Sequence, residues 1–132
     1  MRWLRGGVEI ASHGVSHADL RTLPDARVLD ELCRSRELLS SAIERSVSGF
    51  AYPFGAYDDR VADLVRRAAY DYAYTCRQHR AVRPGDDPFR LCRIEINHHD
   101  DLPRFRAKLA GEYAHVYSTW YRLNPKTRAW LD

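Results

Sequence analysis

No apolar run in these 132 residues approaches the roughly 20 needed to span a bilayer. The first residues also lack the apolar core of a signal peptide, so the chain as written is expected to be cytoplasmic, with no membrane association. Cysteine is scarce. Cys33, Cys76 and Cys92 are too few and too scattered for a disulfide framework, and no C-x-x-C pair occurs, so reduced thiols are expected. An excess of one charge is missing too: 21 Lys and Arg stand against 18 Asp and Glu, and a formal charge of +3 names no polyanionic partner by itself. There is neither an internal repeat nor a low-complexity stretch.

What remains is an ordinary globular composition. At 45% apolar residues, a chain of this length can build one core. Trp3, Leu4 and the pair Gly6-Gly7 read as the end of a helix. Residues 8–12, VEIAS, read as a short strand running into His13. Val28, Leu32, Leu39 and Ile43 recur at helical steps, which predicts an amphipathic helix over 24–45 with Pro24 in its first turn. Residues 48–52 form a second strand candidate, followed by a Pro- and Gly-bearing turn. Asp58 or Asp59 caps a helix with the stripe Val61, Leu64, Val65 and Ala68. Residues 72–75 and 89–96 supply two more strands around a loop at 83–88. Asp100 or Asp101 then starts a helix with Pro103 in its first turn and an apolar face of Leu102, Phe105, Leu109, Tyr113, Val116 and Trp120.

Strands alternating with helices imply parallel pairing through right-handed crossovers. Four strands and three helices are too few for a closed eight-unit barrel of about 250 residues, which leaves an open sheet or part of a barrel.

The stretch SHGVSH places His13 and His17 four positions apart, a spacing at which two imidazoles can reach one cation. Six histidines in the chain make such a pair common by chance. Its position just past a strand's C-terminal end favours a ligand site, since parallel α/β folds bind ligands there. A catalytic zinc needs a third protein ligand, and none stands nearby in the sequence.

GVEIASHGVSHADL resembles the histidine motif of the polysaccharide deacetylases, the carbohydrate esterases of family 4. FAYPFGAYDD resembles that family's third motif, and AAYDYAYT and FRLCRIEIN resemble segments that follow it, in the same order. The resemblance implies an α/β fold, a partial or distorted (β/α) barrel with mostly parallel strands, over residues 1–123, with 124–132 as a C-terminal tail. It implies a metal-dependent hydrolase that removes N- or O-acetyl groups from an acetylated polysaccharide or oligosaccharide. His13 and His17 would hold a divalent metal, zinc in the first instance, and Tyr52, Pro53, Phe54 and Gly55 would form the substrate groove, with the Phe54 N–H facing the oxyanion.

The departures are specific. The family's aspartate pair precedes its histidines, but the twelve residues before His13 contain no aspartate. Ala51 replaces the third motif's arginine, Thr75-Cys76-Arg77 replaces an aspartate-tryptophan pair, and His98 is a weak counterpart of the acid histidine. An N-terminally truncated enzyme, weakly active or inactive alone, is therefore expected, with the catalytic base unassigned. One alternative is a non-catalytic remnant that self-associates through the aromatic segment of Tyr113, Tyr117, Trp120, Tyr121 and Trp130. Another is a polyanion-binding module built on Arg77, Arg80, Arg83, Arg90 and Arg93 around Phe89, although the balanced charge predicts no specific nucleic acid.

Overall fold

Pro24, extended at φ −67° and ψ 154°, begins the longest helix, because its carbonyl takes the Arg27 and Val28 amides. The computed structural model describes residues 6–76, 82–94, 96 and 98–112. Helix α1 runs Asp25–Ile43 and closes on Glu44 in the left-handed region. Strand β1 (Gly49–Ala51) follows, then a 3-10 turn, Pro53–Gly55. Helix α2 (Asp59–Arg67) starts where the Asp58 carboxylate accepts the Val61 N–H at 2.7 Å. Strand β2 (Tyr72–Tyr74) and helix α3 (Leu102–Ala110), capped by Asp101, complete the strands and α-helices of the described residues.

β1 and β2 pair in parallel, with Phe50 opposite Ala73. Single parallel bridges extend the ladder on both sides, Ser12 to Phe50 and Tyr74 to Leu91. Every pairing among the described residues is thus parallel, as expected, but they form a two-stranded sheet with bridges and no barrel closure. Phe50 and Ala73 belong to one core with Leu20, with Val28 and Leu32 of α1, and with Val61, Leu64 and Val65 of α2. The stripe read for α2 is buried in full.

Three expectations are corrected. Residues 8–12 are not a regular strand: only Ser12 bridges, and Val8 and Glu9 are exposed, so little apolar burial holds the segment to the sheet. The strand expected over 89–96 is a 3-10 turn, Pro88–Arg90, followed by one bridge at Leu91. The Phe89 N–H is taken by the Asp87 carboxylate and its carbonyl by the Tyr52 hydroxyl, leaving neither for a ladder. Helix α3, expected to carry one face on to Trp120, ends at Ala110, because Gly111, at φ 80°, adopts the left-handed closing conformation. Leu102, Phe105 and Leu109 on this helix are exposed. Tyr113, Val116 and Trp120, together with the other C-terminal aromatics and the helix end read around Trp3 and Leu4, lie outside the described residues.

Candidate functional site

Ser12 fixes where the histidine segment leaves the sheet. Its N–H donates to the Gly49 carbonyl and its carbonyl accepts the Ala51 N–H, at 2.9 and 2.8 Å. Its side chain is fully buried against α1, with Oγ 2.6 Å from the Ser35 Oγ. The next residue, His13, therefore emerges on the other face, at the C-terminal end of β1. Its Nδ1 lies 2.7 Å from the Ala51 carbonyl oxygen. A carbonyl can only accept, so Nδ1 carries a proton, and in the neutral ring Nε2 is the nitrogen with the free lone pair.

The chain then turns through Gly14 at φ 81° and brings His17, at φ 58°, back beside His13. The two ring centroids are 4.8 Å apart, edge to face. From the other side, Phe54 reaches His17 edge-on at 4.6 Å. Phe54 is itself left-handed, at φ 59°, and exposed. Three residues singled out in the sequence thus meet at one point: His13, His17 and Phe54.

The other groove candidates lie beneath. Tyr52 is fully buried: its hydroxyl donates to the Phe89 carbonyl at 2.9 Å and its ring stacks on Tyr57. Burial pushes the Tyr52 phenol well above its ordinary value, so it stays neutral. Pro53 and Gly55 are buried as well. His98 is exposed, its ring 3.7 Å from that of His99, and no contact links it to the histidine pair.

Sequence reasoning missed Glu31. It sits on α1 and is 4% exposed, yet its Oε2 accepts the N–H groups of Val15 and Ser16 at 2.7 and 2.9 Å. Burial pushes its carboxyl up, but the bonds from Ser16 and Val15 outweigh that and hold it below the usual carboxylate value. The signal was present: Glu31 and Ser35 are polar residues on the helix face that Val28 and Leu32 bury.

Residues 1–73, which include the histidine segment and the Tyr52–Gly55 turn, match the family model of the polysaccharide deacetylases. The chain belongs to the polysaccharide deacetylase family. Solved structures agree on the fold. The Streptococcus pyogenes deacetylase PplD, in complex with acetate, superposes with a TM-score of 0.70 at 21% identity, over 75% of this chain and 43% of that one. A polysaccharide deacetylase from Bacillus cereus gives 0.69 at 24% identity, over 82% of this chain and 34% of that one. The Bacillus anthracis protein BA0330 gives 0.73 at 26% identity, again over 82% and 34%. The chain therefore spans between about a third and under a half of the length of these structures. A search of curated proteins gave no match.

For a deacetylase metal, the donor set fits in part. Two imidazoles stand together, one held in the tautomer that leaves Nε2 available. Among the described residues, however, no group of three His, Cys, Asp or Glu side chains could hold an ion. Two arginines of the basic cluster have partners of their own: Arg90 pairs with Asp59 and Asp87, and Arg93 donates to the Thr75 carbonyl and the Cys76 sulfur. Arg77 and Arg80 lie outside the described residues. Among those residues no helix is long and apolar enough to cross a membrane.

Proposed function

We propose that this chain carries the histidine half of a metal-dependent deacetylase site that acts on an acetylated glycan. The observation that supports it most is the His13 ring, whose Nδ1 bond to Ala51 leaves Nε2 for an ion beside His17. Metal-ligating histidines commonly hold the other ring nitrogen in this way. A divalent ion there, zinc in the first instance, supplies Lewis acidity toward an acetyl carbonyl and toward water. Phe54, whose ring stands against His17, offers its backbone N–H to the developing oxyanion, and the buried Tyr52, Pro53 and Gly55 hold that turn from below. A third donor and a general base have to come from groups beyond those brought together here. On its own the chain should bind metal loosely and hydrolyse poorly.

The test is zinc titration by calorimetry, with the His13→Ala, His17→Ala double variant in parallel. Specific binding that disappears in the variant supports the site. Equal heats from both proteins would remove it. The self-associating alternative rests on Tyr113, Tyr117, Trp120, Tyr121 and Trp130, outside the described residues, and the exposed Leu102, Phe105 and Leu109 of α3, just before them, favour it. Sedimentation as a strict monomer at micromolar concentration would count against it.

A further inference from the structure

Helix α1 reaches the histidine segment at two points one turn apart, and both are polar. Ser35 bonds Ser12, the residue before His13, and Glu31 gathers the amides of Val15 and Ser16, which lie between the two histidines. Both residues are 4% exposed. A carboxylate is a costly group to bury, and an apolar residue would pack this position without that cost. What the carboxylate adds is charge-assisted bonding, about twice as strong as a neutral hydrogen bond, to two converging backbone donors.

The loop is shaped around it. A β-carbon built on Gly14 would stand 3.2 Å from the Glu31 Oε2, and Gly14 is also left-handed, so this position both permits the approach and makes the turn. One residue past the clamped amides, His17 takes the left-handed conformation that returns its ring to His13. Such a conformation is strained for a residue with a β-carbon and persists where its surroundings enforce it.

We infer that Glu31 is the positioning residue of the histidine pair: its buried carboxylate holds the 13–17 turn closed so that both imidazoles stand within reach of one ion. The inference rests on the metal-site reading for its consequence, but its structural content can be read without metal. Removing the clamp takes no side chain out of the apolar cluster, to which Glu31 does not belong. It releases two amides and lets the rings separate.

The test uses the full chain as wild type, Glu31→Gln and Glu31→Ala. In metal-free NMR spectra, the Val15 and Ser16 amide protons should move upfield in both variants. The nuclear Overhauser contact between the His13 and His17 rings should weaken, most in Glu31→Ala. Unshifted amides and an intact ring contact in a folded Glu31→Gln protein would overturn the inference, and that variant decides it if Glu31→Ala fails to fold. Zinc affinity should fall by about ten- to hundredfold in Glu31→Ala, as for other groups behind metal ligands, with Glu31→Gln between. Unchanged affinity in a folded Glu31→Ala protein would also overturn it. A wild type that binds no zinc would sink the metal reading while the NMR comparison still decides the role of Glu31.

Discussion

His17 and Phe54 face each other with left-handed backbones, at φ 58° and 59°. Residues with a β-carbon rarely take that region, histidine less rarely than phenylalanine, so both turns hold some strain, on the order of 1 kcal/mol or more at Phe54. Glu31 restrains the first. The second is restrained by Gly55, itself at φ 68°, which packs directly on Cys76. A β-carbon at Gly55 would overlap the Cys76 backbone nitrogen and Cβ, atoms that cannot swing aside as a side-chain tip can. Gly55→Ala should therefore lose about 3 kcal/mol of stability, from the strained φ and the overpacking together. Urea unfolding measures this directly, and a loss under about 1 kcal/mol would mean that the turn relaxes freely. The same variant should displace the Phe54 ring from His17, visible as a shifted His17 ring resonance.

At the scale of elements, the Pro88–Arg90 turn is tied to α2 by charge. The Asp87 carboxylate takes both Arg66, at 3.0 Å, and Arg90, at 3.1 Å, and also caps the turn through the Phe89 N–H. Burial alone would raise its pKa, but the Phe89 N–H and the two guanidiniums outweigh that and hold it below 3.8. A depressed carboxyl stabilises the fold fully above its unfolded value and loses that contribution as pH falls through its folded value. Stability should thus drop as acid is added below about pH 3.8. Asp87→Asn should lower it near neutrality and flatten the acid slope, with salt shrinking the difference because the pairs are partly exposed. Equal urea midpoints for the two proteins at pH 7 and at pH 3 would refute this. The turn also shows where sequence pattern stops. α1, α2, β1 and β2 were legible because apolar spacing and Asp58 act locally. Residues 89–96 were misread because the groups that take the Phe89 amide and carbonyl, Asp87 and Tyr52, answer to no periodicity. Glu31 escaped because a helix read through its apolar residues hides a polar one on the same face.

Over the whole molecule, α1 and α2 cover one face of the sheet, while Tyr72 and Tyr74 stand half-buried on the other, with Tyr72 lying over Gly49. The histidine pair sits where these layers meet: His13 hangs from β1 through Ala51, and the segment between the histidines hangs from α1 through Glu31. The motif's residues were readable from the sequence, but this double suspension was not, since it joins residues 15 to 38 positions apart. At the proposed site this suspension would make ion binding a property of the folded state, because unfolding separates β1 from α1 and disperses the two rings. An ion that needs both rings should therefore stabilise the fold, by about 2.7 kcal/mol at a free concentration a hundredfold above its Kd, less whatever the unfolded chain's histidines bind. Thermal scans across a zinc series should show Tm rising with concentration in the wild type and flat in the His13→Ala, His17→Ala variant. A rise of equal size in both would locate the binding elsewhere. No rise in the wild type, despite calorimetric binding, would mean that the rings take up zinc without the suspension that ties them to the sheet and helix.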